Sequence, residues 1–322
     1  MVTTNGLRFM SAPLQEGSAL TIGNFDGLHL GHRALVKEVI AEAQYHRWSS
    51  ALLTFDPHPV QFLLPQIGFK RLFPLSDLQK GVDCLGINHF IMEPFTQKIA
   101  IMDPGKFWIE KVAPCLRPRL LVVGHDFNFG AGRKGNLEFL QKLAVQEGFE
   151  LRTIAPIQEG GHVVSSSRIR ELICQGKVEE AQLLLDRPFS VRGVVCRGDQ
   201  KGHQLGFPTA NIEGVETLMP APGVYITQTL VPGDKLVSSV TNVGFAPSLR
   251  ATGSGLRLES HLLEEGNWEL YNKEIEILFF TCLRLEMKFS GVEQLKQQIA
   301  RDVMEAQEYW LKRQQNSGQK FP

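Results

Sequence analysis

Two histidines three residues apart are the part of the sequence best suited to chemistry. His29 and His32 end the decapeptide Gly23-Asn24-Phe25-Asp26-Gly27-Leu28-His29-Leu30-Gly31-His32. On the first turn of a helix, side chains at this spacing project to the same side. Two imidazoles there can donate hydrogen bonds to nucleotide phosphates and stabilise the charge that grows on a departing pyrophosphate. The motif therefore predicts transfer of a nucleotidyl group from ATP without a covalent intermediate.

The rest of the decapeptide is suited to binding phosphate. Its glycines let the backbone approach a ligand, and the start of the following helix offers free N–H groups. An isolated His-x-Gly-His could equally cap or pack a helix, but the strand–turn–helix context favours the functional interpretation. The residues that we expect to bind ATP are Gly23, Asn24, Phe25, Asp26, Gly27 and Gly31.

Two further segments of the first half predict ligand contacts. Ser166, Ser167 and Arg168 begin a helix after a strand, where hydroxyls and a cation suit a second phosphate clamp. The alternative is an ordinary serine cap beside solvated arginines. The loop Gly124–Gly130 carries aromatic residues suited to a flat ring and polar groups suited to a ribityl or adenosine end, although both phenylalanines could equally be core. The candidates in this loop are Asp126, Phe127, Asn128 and Phe129.

Strand-like and helix-like segments alternate from Ala19 to about Asp186. Near-continuous apolar strands between helices are typical of an α/β fold with a Rossmann-like parallel sheet that is covered on both faces. In such sheets ligands bind beyond the carboxyl ends of the strands, where the decapeptide would lie. The predicted strands span 19–22, 51–55, 120–123 and 151–154, and the predicted helices span 35–43 and 137–143.

The pattern changes after Asp186. Short strand-like runs separated by proline and glycine turns predict a small antiparallel β-barrel, and an amphipathic helix follows it. We predict two domains, 1–186 and 187–322. The elements predicted around and after this boundary are helices 167–174 and 178–185, strands 191–196, 223–230, 236–243, 256–263 and 274–283, and a helix from Val292 to Trp310.

Composition excludes several classes of protein. The 322 residues include 34 Lys and Arg and 34 Asp and Glu, and this neutral balance argues against a nucleic-acid partner. None of the five cysteines forms a Cys-x-x-Cys pair, which disfavours a zinc site or a disulfide framework. The start of the chain lacks the features of a signal peptide, and no apolar run approaches the roughly 18 residues of a membrane span. We therefore expect a cytoplasmic protein without a membrane partner, and weak self-association stays open.

Taken together, the motifs of the first half resemble the adenylyltransferase half of the bacterial bifunctional riboflavin kinase/FMN adenylyltransferase (FAD synthetase) family. The resemblance implies that the phosphate of FMN attacks the α-phosphorus of ATP, giving FAD and pyrophosphate. It also implies that His29 and His32 hold the ATP phosphates and that Ser166 and Ser167 contact them. Asp126 and Arg168 would help to place the nucleotide or the flavin. The motif around the histidines alone would also suit another adenylyl or cytidylyl acceptor.

The second half resembles the kinase half of the same family through the segment Gly198–Asn211. The resemblance implies that Glu259 orients or deprotonates the 5′-hydroxyl of riboflavin for attack on the γ-phosphate of ATP. Thr209 and Asn211 offer neutral oxygens on alternate strand positions, where Mg²⁺ carried by ATP could bind. Without the resemblance, Glu259 would be interpreted as a solvated strand residue. The residues expected to bind ATP here are Gly198, Lys201, Gly202 and His203.

Three departures from the family pattern fall in the kinase half. His203 stands where arginine is usual, Ser248-Leu249 replaces Thr-Phe, and Asn272 takes the place of a glycine. They motivate an alternative in which the chain only adenylylates FMN and the barrel is a flavin-binding or regulatory module. The leading hypothesis is a bifunctional enzyme with riboflavin, FMN, FAD and ATP as ligands and Mg²⁺ as cofactor.

Overall fold

The computed structural model describes residues 1–198, 202, 205–245, 256–264, 266 and 268–317. Contacts between backbone positions divide the chain into two compact units, Met1–Ser166 and Ser167–Pro322. This division comes earlier than the predicted boundary between residues 186 and 187. Helices that were assigned to the first domain by sequence pack in the second unit, where residues 178–185 lie against strands of the barrel. The predicted boundary between the two activities stays a prediction.

The first unit contains a six-stranded sheet in the order β1-β4-β3-β2-β5-β6, in which every pair of neighbours is parallel. Its strands are β1 (Val2–Thr4), β2 (Ser18–Ile22), β3 (Ser49–Asp56), β4 (His89–Pro94), β5 (Pro118–Gly124) and β6 (Glu150–Ile154). A two-stranded antiparallel ribbon follows, made of β7 (Gln158–Glu159) and β8 (His162–Val163).

Apolar side chains cover both faces of this sheet. On β3, Leu53 belongs to one buried cluster and Leu52 to another, and Val123 and Val122 of β5 divide in the same way. Since successive strand residues point to opposite faces, both faces must be covered, as the apolar runs predict. The helices of this unit are α1 (Leu30–His46), α2 (Pro59–Leu63), α3 (Leu75–Leu85), α4 (Gln97–Ala100), α5 (Pro104–Phe107), α6 (Ala113–Leu116) and α7 (Leu137–Glu147).

The second unit contains a closed six-stranded barrel whose strands run antiparallel in the order β10-β13-β12-β11-β14-β9. The predicted barrel is thereby confirmed. The strands are β9 (Phe189–Cys196), β10 (Ala210–Glu213), β11 (Gly223–Val231), β12 (Lys235–Phe245), β13 (Leu256–Leu262) and β14 (Glu274–Leu285). The helices are α8 (Ser166–Cys174), which begins at the last residue of the first unit, α9 (Val178–Leu185) and α10 (Val292–Ser317).

The barrel interior is partly polar. Five fully buried hydroxyls form a closed ring of hydrogen bonds between 2.8 and 3.1 Å. They come from Thr227, Thr229, Ser239, Thr241 and Ser260. Each hydroxyl has two partners, so none of these buried polar groups is left unsatisfied. The ring joins β11, β12 and β13 and fixes which side chains of these strands face inward.

Candidate active sites

A tight turn carries the chain from β2 into α1. Gly23 N–H donates to the carbonyl of Leu53 at 3.1 Å, which ties the start of the turn to the neighbouring strand. Phe25 and Leu28 have φ of 49° and 44°, and Leu28 N–H donates to the carbonyl of Phe25 at 3.1 Å. Gly27, with φ of 90°, takes a conformation that few other residues tolerate. The turn places His29 directly before the first residue of α1.

The two histidines form one unit at the start of α1. The Nδ1 atom of His29 accepts a hydrogen bond from the backbone N–H of His32 at 3.3 Å. The two rings stack with their centroids 3.6 Å apart and an angle of 17° between their planes. A Cβ atom at Gly31 would lie 3.2 Å from Cε1 of His29, so the glycine leaves room for this ring position. The structure thus brings together the two side chains that the sequence proposes as reacting groups.

Burial keeps both imidazoles neutral. It lowers the pKa of His29 to about 4, against smaller opposing effects of a backbone hydrogen bond and of the charge on Asp126. Burial, with the neighbouring His29, also lowers the pKa of His32. Because Nδ1 of neutral His29 accepts the helix N–H, its proton must be on Nε2, which is then a donor. The pair therefore offers neutral hydrogen-bond donors rather than positive charges.

Two predicted phosphate-binding residues hold the turn itself. Asp26 is buried, and its Oδ1 atom accepts a hydrogen bond from Leu72 N–H at 3.0 Å. Ser166 Oγ donates to the backbone carbonyl of Asp26 at 2.9 Å. These contacts fix the backbone between the strand and the histidines. Sequence reasoning did not separate this supporting role from ligand contact.

A cavity of about 430 Å³ opens beside the turn. Of the candidate residues, Gly23, Asn24, Phe127, Asn128 and Phe129 line it. Apolar side chains dominate a wall of this kind and suit a flat aromatic ligand. The other lining residues are Ile22, Phe55, Pro59, Leu63, Phe95, Ile99, Ala100, Phe107, Gly130, Gly132 and Arg133.

Unlike the three residues that follow it in the loop, Asp126 does not line the cavity. Its side chain is 82% exposed. Its backbone carbonyl accepts a hydrogen bond from the side-chain amide of Asn128 at 2.7 Å. Its charge nevertheless acts on His29, whose pKa it raises slightly against burial. Asp126 therefore shares the electrostatic environment of the histidines rather than the wall of the cavity.

Ser167 and Arg168 belong to the second unit. Arg168 Nη1 lies 2.9 Å from Glu171 Oε2 on the same helix, α8. A second carboxylate, that of Glu180, lies 3.9 Å from Arg168 Nη2. The guanidinium predicted to clamp phosphate is thus ion-paired with acidic side chains of its own unit.

The barrel brings Asn211 and Glu259 together. Asn211 of β10 is directly opposite Glu259 of β13, and Glu259 is in turn opposite Asn242 of β12. Residues that face each other in an antiparallel pair project from the same face of the sheet. Asn211 is buried, and its Oδ1 atom has no hydrogen-bond partner among the described residues.

Glycines allow the chain to approach the two candidate metal ligands closely. A Cβ atom at Gly198 would overlap the side chain of Asn211, and one at Gly202 would lie 3.0 Å from Oγ1 of Thr209. Thr209 is the residue before β10, which begins at Ala210, so it is at a strand entrance rather than within a strand. Lys201 and His203, and also Ser248 and Leu249, lie outside the described residues.

Glu259 projects from the outer face of the barrel. Its neighbour Ser260 belongs to the interior hydroxyl ring, and Leu258 is also fully buried. Because side chains alternate along a strand, Glu259 must face outward. Its side chain is 34% exposed, and Arg257 Nη1 lies 3.6 Å from Oε1.

A second cavity, of about 620 Å³, lies at this part of the barrel. Thr209 is in its wall, next to Pro208, whose carbonyl is 2.8 Å from Nδ1 of His261. Neither Asn211 nor Glu259 lines it. Sequence reasoning missed the aromatic part of this wall, Trp268 and Tyr271, because the two residues follow β13 in a segment without a periodic pattern.

One departure from the family pattern has a structural explanation. Asn272 has φ of 60°, the left-handed conformation that usually favours glycine. Asparagine is one of the residues that adopt this conformation most readily. Its backbone N–H donates to the carbonyl of Val195 at 2.9 Å, so the turn is kept.

Two further features concern the described part of the chain. None of its helices is long and apolar enough to cross a membrane. The same residues contain no group of three or more His, Cys, Asp or Glu side chains that could hold a metal ion.

Comparisons with known proteins match both halves of the chain. Residues 11–168 match the FAD synthetase family, and residues 185–310 match the riboflavin kinase family. The bifunctional riboflavin kinase/FMN adenylyltransferase of Escherichia coli is 33% identical over 96% of this chain and 98% of its own length. The enzyme of that name from Pseudomonas fluorescens is 32% identical over 91% of this chain and 93% of its own length.

A solved structure supports the fold. A protein from Streptococcus pneumoniae described as a macrolide-efflux protein superposes with a TM-score of 0.80 at 24% sequence identity. The match covers 94% of this chain and 96% of that one. At this identity the likeness concerns the fold alone, and the sequence matches to both halves decide the family. The chain belongs to the bifunctional riboflavin kinase/FMN adenylyltransferase family.

Proposed function

We propose that the two activities of the family are performed at the two sites described above. The chain phosphorylates riboflavin to FMN and adenylylates FMN to FAD, with ATP as the donor in both steps. We assign the phosphorylation to the outer face of the barrel around Glu259. The adenylylation is assigned to the turn that carries His29 and His32.

For adenylyl transfer, the FMN phosphate attacks the α-phosphorus of ATP and pyrophosphate leaves. His29 and His32 donate hydrogen bonds to the phosphate oxygens as negative charge moves onto the leaving group. Neutral donors held in a buried position stabilise such charge without reorganisation during the reaction. Gly27 and the start of α1 supply backbone N–H groups to the same phosphates, while Gly23, whose N–H is bonded to Leu53, lets the ligand approach the backbone. The observation that carries this assignment is the stacked, neutral histidine pair next to an aromatic cavity.

The flavin ring of FMN fits the cavity beside the turn. Its wall contains Phe127 and Phe129, which stack at 5.6 Å between ring centroids, and the amide of Asn128. An apolar wall with few polar groups holds an aromatic ring and fixes its orientation. Asn24 lies both in this wall and in the turn, so the cavity is continuous with the proposed phosphate site. We therefore assign Phe127, Asn128 and Phe129 to flavin binding.

For phosphorylation, Glu259 accepts the proton of the riboflavin 5′-hydroxyl as that oxygen attacks the γ-phosphorus. A carboxylate on a strand face that is one-third exposed can meet a substrate that approaches from outside the barrel. The residues present also suit Mg²⁺, because the buried Oδ1 atom of Asn211 lacks a partner among the described residues. Thr209 and Asn211 would hold the ion, which supplies neutralisation of the ATP phosphate charge when bound. Gly198, Lys201, Gly202 and His203 are proposed to bind the nucleotide.

A cytoplasmic location is part of the proposal. It is supported by the five cysteines, which are all free, and by the absence of a spanning helix among the described residues. The net charge of zero supports the expectation that nucleic acid is not a partner.

His29→Ala tests the proposal most simply. We expect loss of FAD formation from supplied FMN by about a hundredfold or more, because a positioned donor to the transition state is removed. FMN formation from riboflavin by the same variant should be unchanged, which controls for folding of the full chain. FAD synthesis at the normal rate in this variant would refute the assignment of His29.

A further inference from the structure

The proposed base Glu259 has a charged neighbour that the assignments above do not use. Arg257 is two residues earlier on β13, so both side chains project from the same outer face. Arg257 Nη1 lies 3.6 Å from Oε1 of Glu259, and the arginine side chain is only 17% exposed. Directly opposite Arg257 on β12 is Gly244, which has no side chain to compete for the space.

The two residues directly opposite Glu259 in the sheet are neutral. Asn211 faces it from β10 and Asn242 from β12. A Cβ atom at Gly244 would lie 3.2 Å from Nδ2 of Asn242 and 3.8 Å from Oε1 of Glu286. The charge of Arg257 also reaches Cys196, at the end of β9, where it opposes burial and the Glu213 carboxylate, which both raise the thiol pKa. Arg257 thus lies among polar and charged groups at the ends of several strands.

We propose that Arg257 is a positioning residue for riboflavin phosphorylation, whose guanidinium holds the Glu259 carboxylate opposite Asn211. The proposal rests on the assignment of Glu259 as the base. A glutamate side chain has three rotatable bonds, and one that is a third exposed, as Glu259 is, samples many orientations unless a partner restrains it. A general base must be within hydrogen-bonding reach of the proton that it takes. An arginine that is itself mostly buried can supply this restraint through its rigid planar group.

The restraint acts on a defined step. As the riboflavin oxygen forms its bond to the γ-phosphorus, its proton passes to the Glu259 carboxylate. The bond between the γ-phosphorus and the bridging oxygen breaks, and its electron pair leaves with ADP. Arg257 forms and breaks no bond in this step, so it acts on the rate only through Glu259.

Arg257→Gln is the principal test, performed on the full chain with riboflavin, ATP and Mg²⁺. We expect kcat for FMN formation to fall by about tenfold to a hundredfold, since small misplacements of a reacting group have effects of this size. The KM values for ATP and riboflavin should stay within about twofold, because the arginine binds neither substrate in the proposal. Arg257→Lys should recover part of the loss, and FAD formation from supplied FMN should be unchanged.

Arg192→Gln is the matched control. Arg192 of β9 pairs with Glu276 of β14 at 2.9 Å on the same barrel, and neither residue is placed in the reaction. Losing this pair should affect stability and leave kcat for FMN formation unchanged. If both arginine variants lower kcat equally, the effect of Arg257 is a general effect on the barrel and the proposal is wrong.

A second set of variants separates this proposal from the function on which it rests. With Glu259→Gln already present, adding Arg257→Gln should lower the residual kcat no further, because the residue that it positions is gone. An equal fold-loss in both backgrounds, or a selective rise in the KM for ATP, would overturn the positioning role while leaving Glu259 as the base. Full kinase activity in Glu259→Gln alone would instead refute the base assignment, and the positioning role would fall with it.

Discussion

At the scale of single residues, burial decides what the histidine pair can do. His29 is 5% exposed and has a pKa lowered to about 4 by that burial, so it is neutral under ordinary conditions. The same burial would oppose two stacked positive charges only 3.6 Å apart. In the proposed site, ATP phosphates would therefore meet hydrogen-bond donors whose protonation state does not change across neutral pH. The cations that balance phosphate charge must come from elsewhere in the complex.

The pKa of His29 predicts a pH dependence of stability. In the unfolded chain the pKa of a histidine is about 6.5, whereas the pKa of His29 in the folded chain is about 4. Between these two pH values the unfolded state therefore binds a proton that the folded state does not bind. Stability is thus fully present above about 6.5 and falls as the pH drops towards 4, by up to about 3 kcal/mol from this residue. His29→Gln should make the fall shallower in urea unfolding measured between these pH values. His162→Gln, at an exposed histidine, is the control and should leave the dependence of stability on pH unchanged. If His29→Gln also left it unchanged, burial of His29 would not be the cause of the fall.

The sequence predicted these residues better than it predicted their environment. The decapeptide identified His29 and His32, and the structure brings their rings together. The supporting role of Asp26 depends on Leu72, and the lowered pKa values depend on burial by distant segments. Neither can be obtained from local spacing. The exposure of Asp126 was missed for the same reason.

At the scale of elements, α1 and the turn before it hold the histidines in place. Gly31 is in the first turn of α1, where its missing side chain leaves room for the His29 ring. A helix would normally gain stability from alanine at such a position, by about 1 kcal/mol. Gly31 therefore makes room for the His29 ring, and it makes the helix less stable than alanine would.

Gly31→Ala tests whether the position of the His29 ring matters more for activity than the stability of the helix. The new Cβ atom would lie 3.2 Å from Cε1 and 3.3 Å from Nδ1 of His29, so the ring must move by a few tenths of an ångström. We expect FAD formation to fall by about tenfold while the melting temperature is unchanged or rises. Ala41→Gly, on the exposed side of the same helix, should lower the melting temperature and leave FAD formation unchanged. Normal FAD formation in Gly31→Ala would show that the position of the ring is not critical.

The sequence predicted most elements of both units but not all of them. Long apolar strands such as β3 and β5 were found because burial on both faces leaves a continuous pattern. β4 was missed because His89, Glu93 and Pro94 interrupt its apolar run, and β1 has only three residues. The short helices between β4 and β5 have no room for a helical period, yet they supply Ile99 and Phe107 to the cavity wall. The cavity could not be predicted, because its wall comes from segments far apart in the sequence.

At the scale of the whole molecule, each unit has its own site and its own reaction. The first unit carries the histidine pair and the aromatic cavity, and the second carries Glu259 and the candidate metal ligands. The product of the barrel is the substrate of the other site. The central claim is therefore that a single chain performs two chemically separate steps that single substitutions can separate.

The most direct measurement is a time course with riboflavin, ATP and Mg²⁺ in which FMN and FAD are separated. The unaltered chain should form FMN first and FAD after it. His29→Ala should stop at FMN, Glu259→Ala should form FAD only from supplied FMN, and a mixture of these two variants should form FAD from riboflavin again. FAD production from riboflavin by either variant alone at the rate of the unaltered chain would contradict the account.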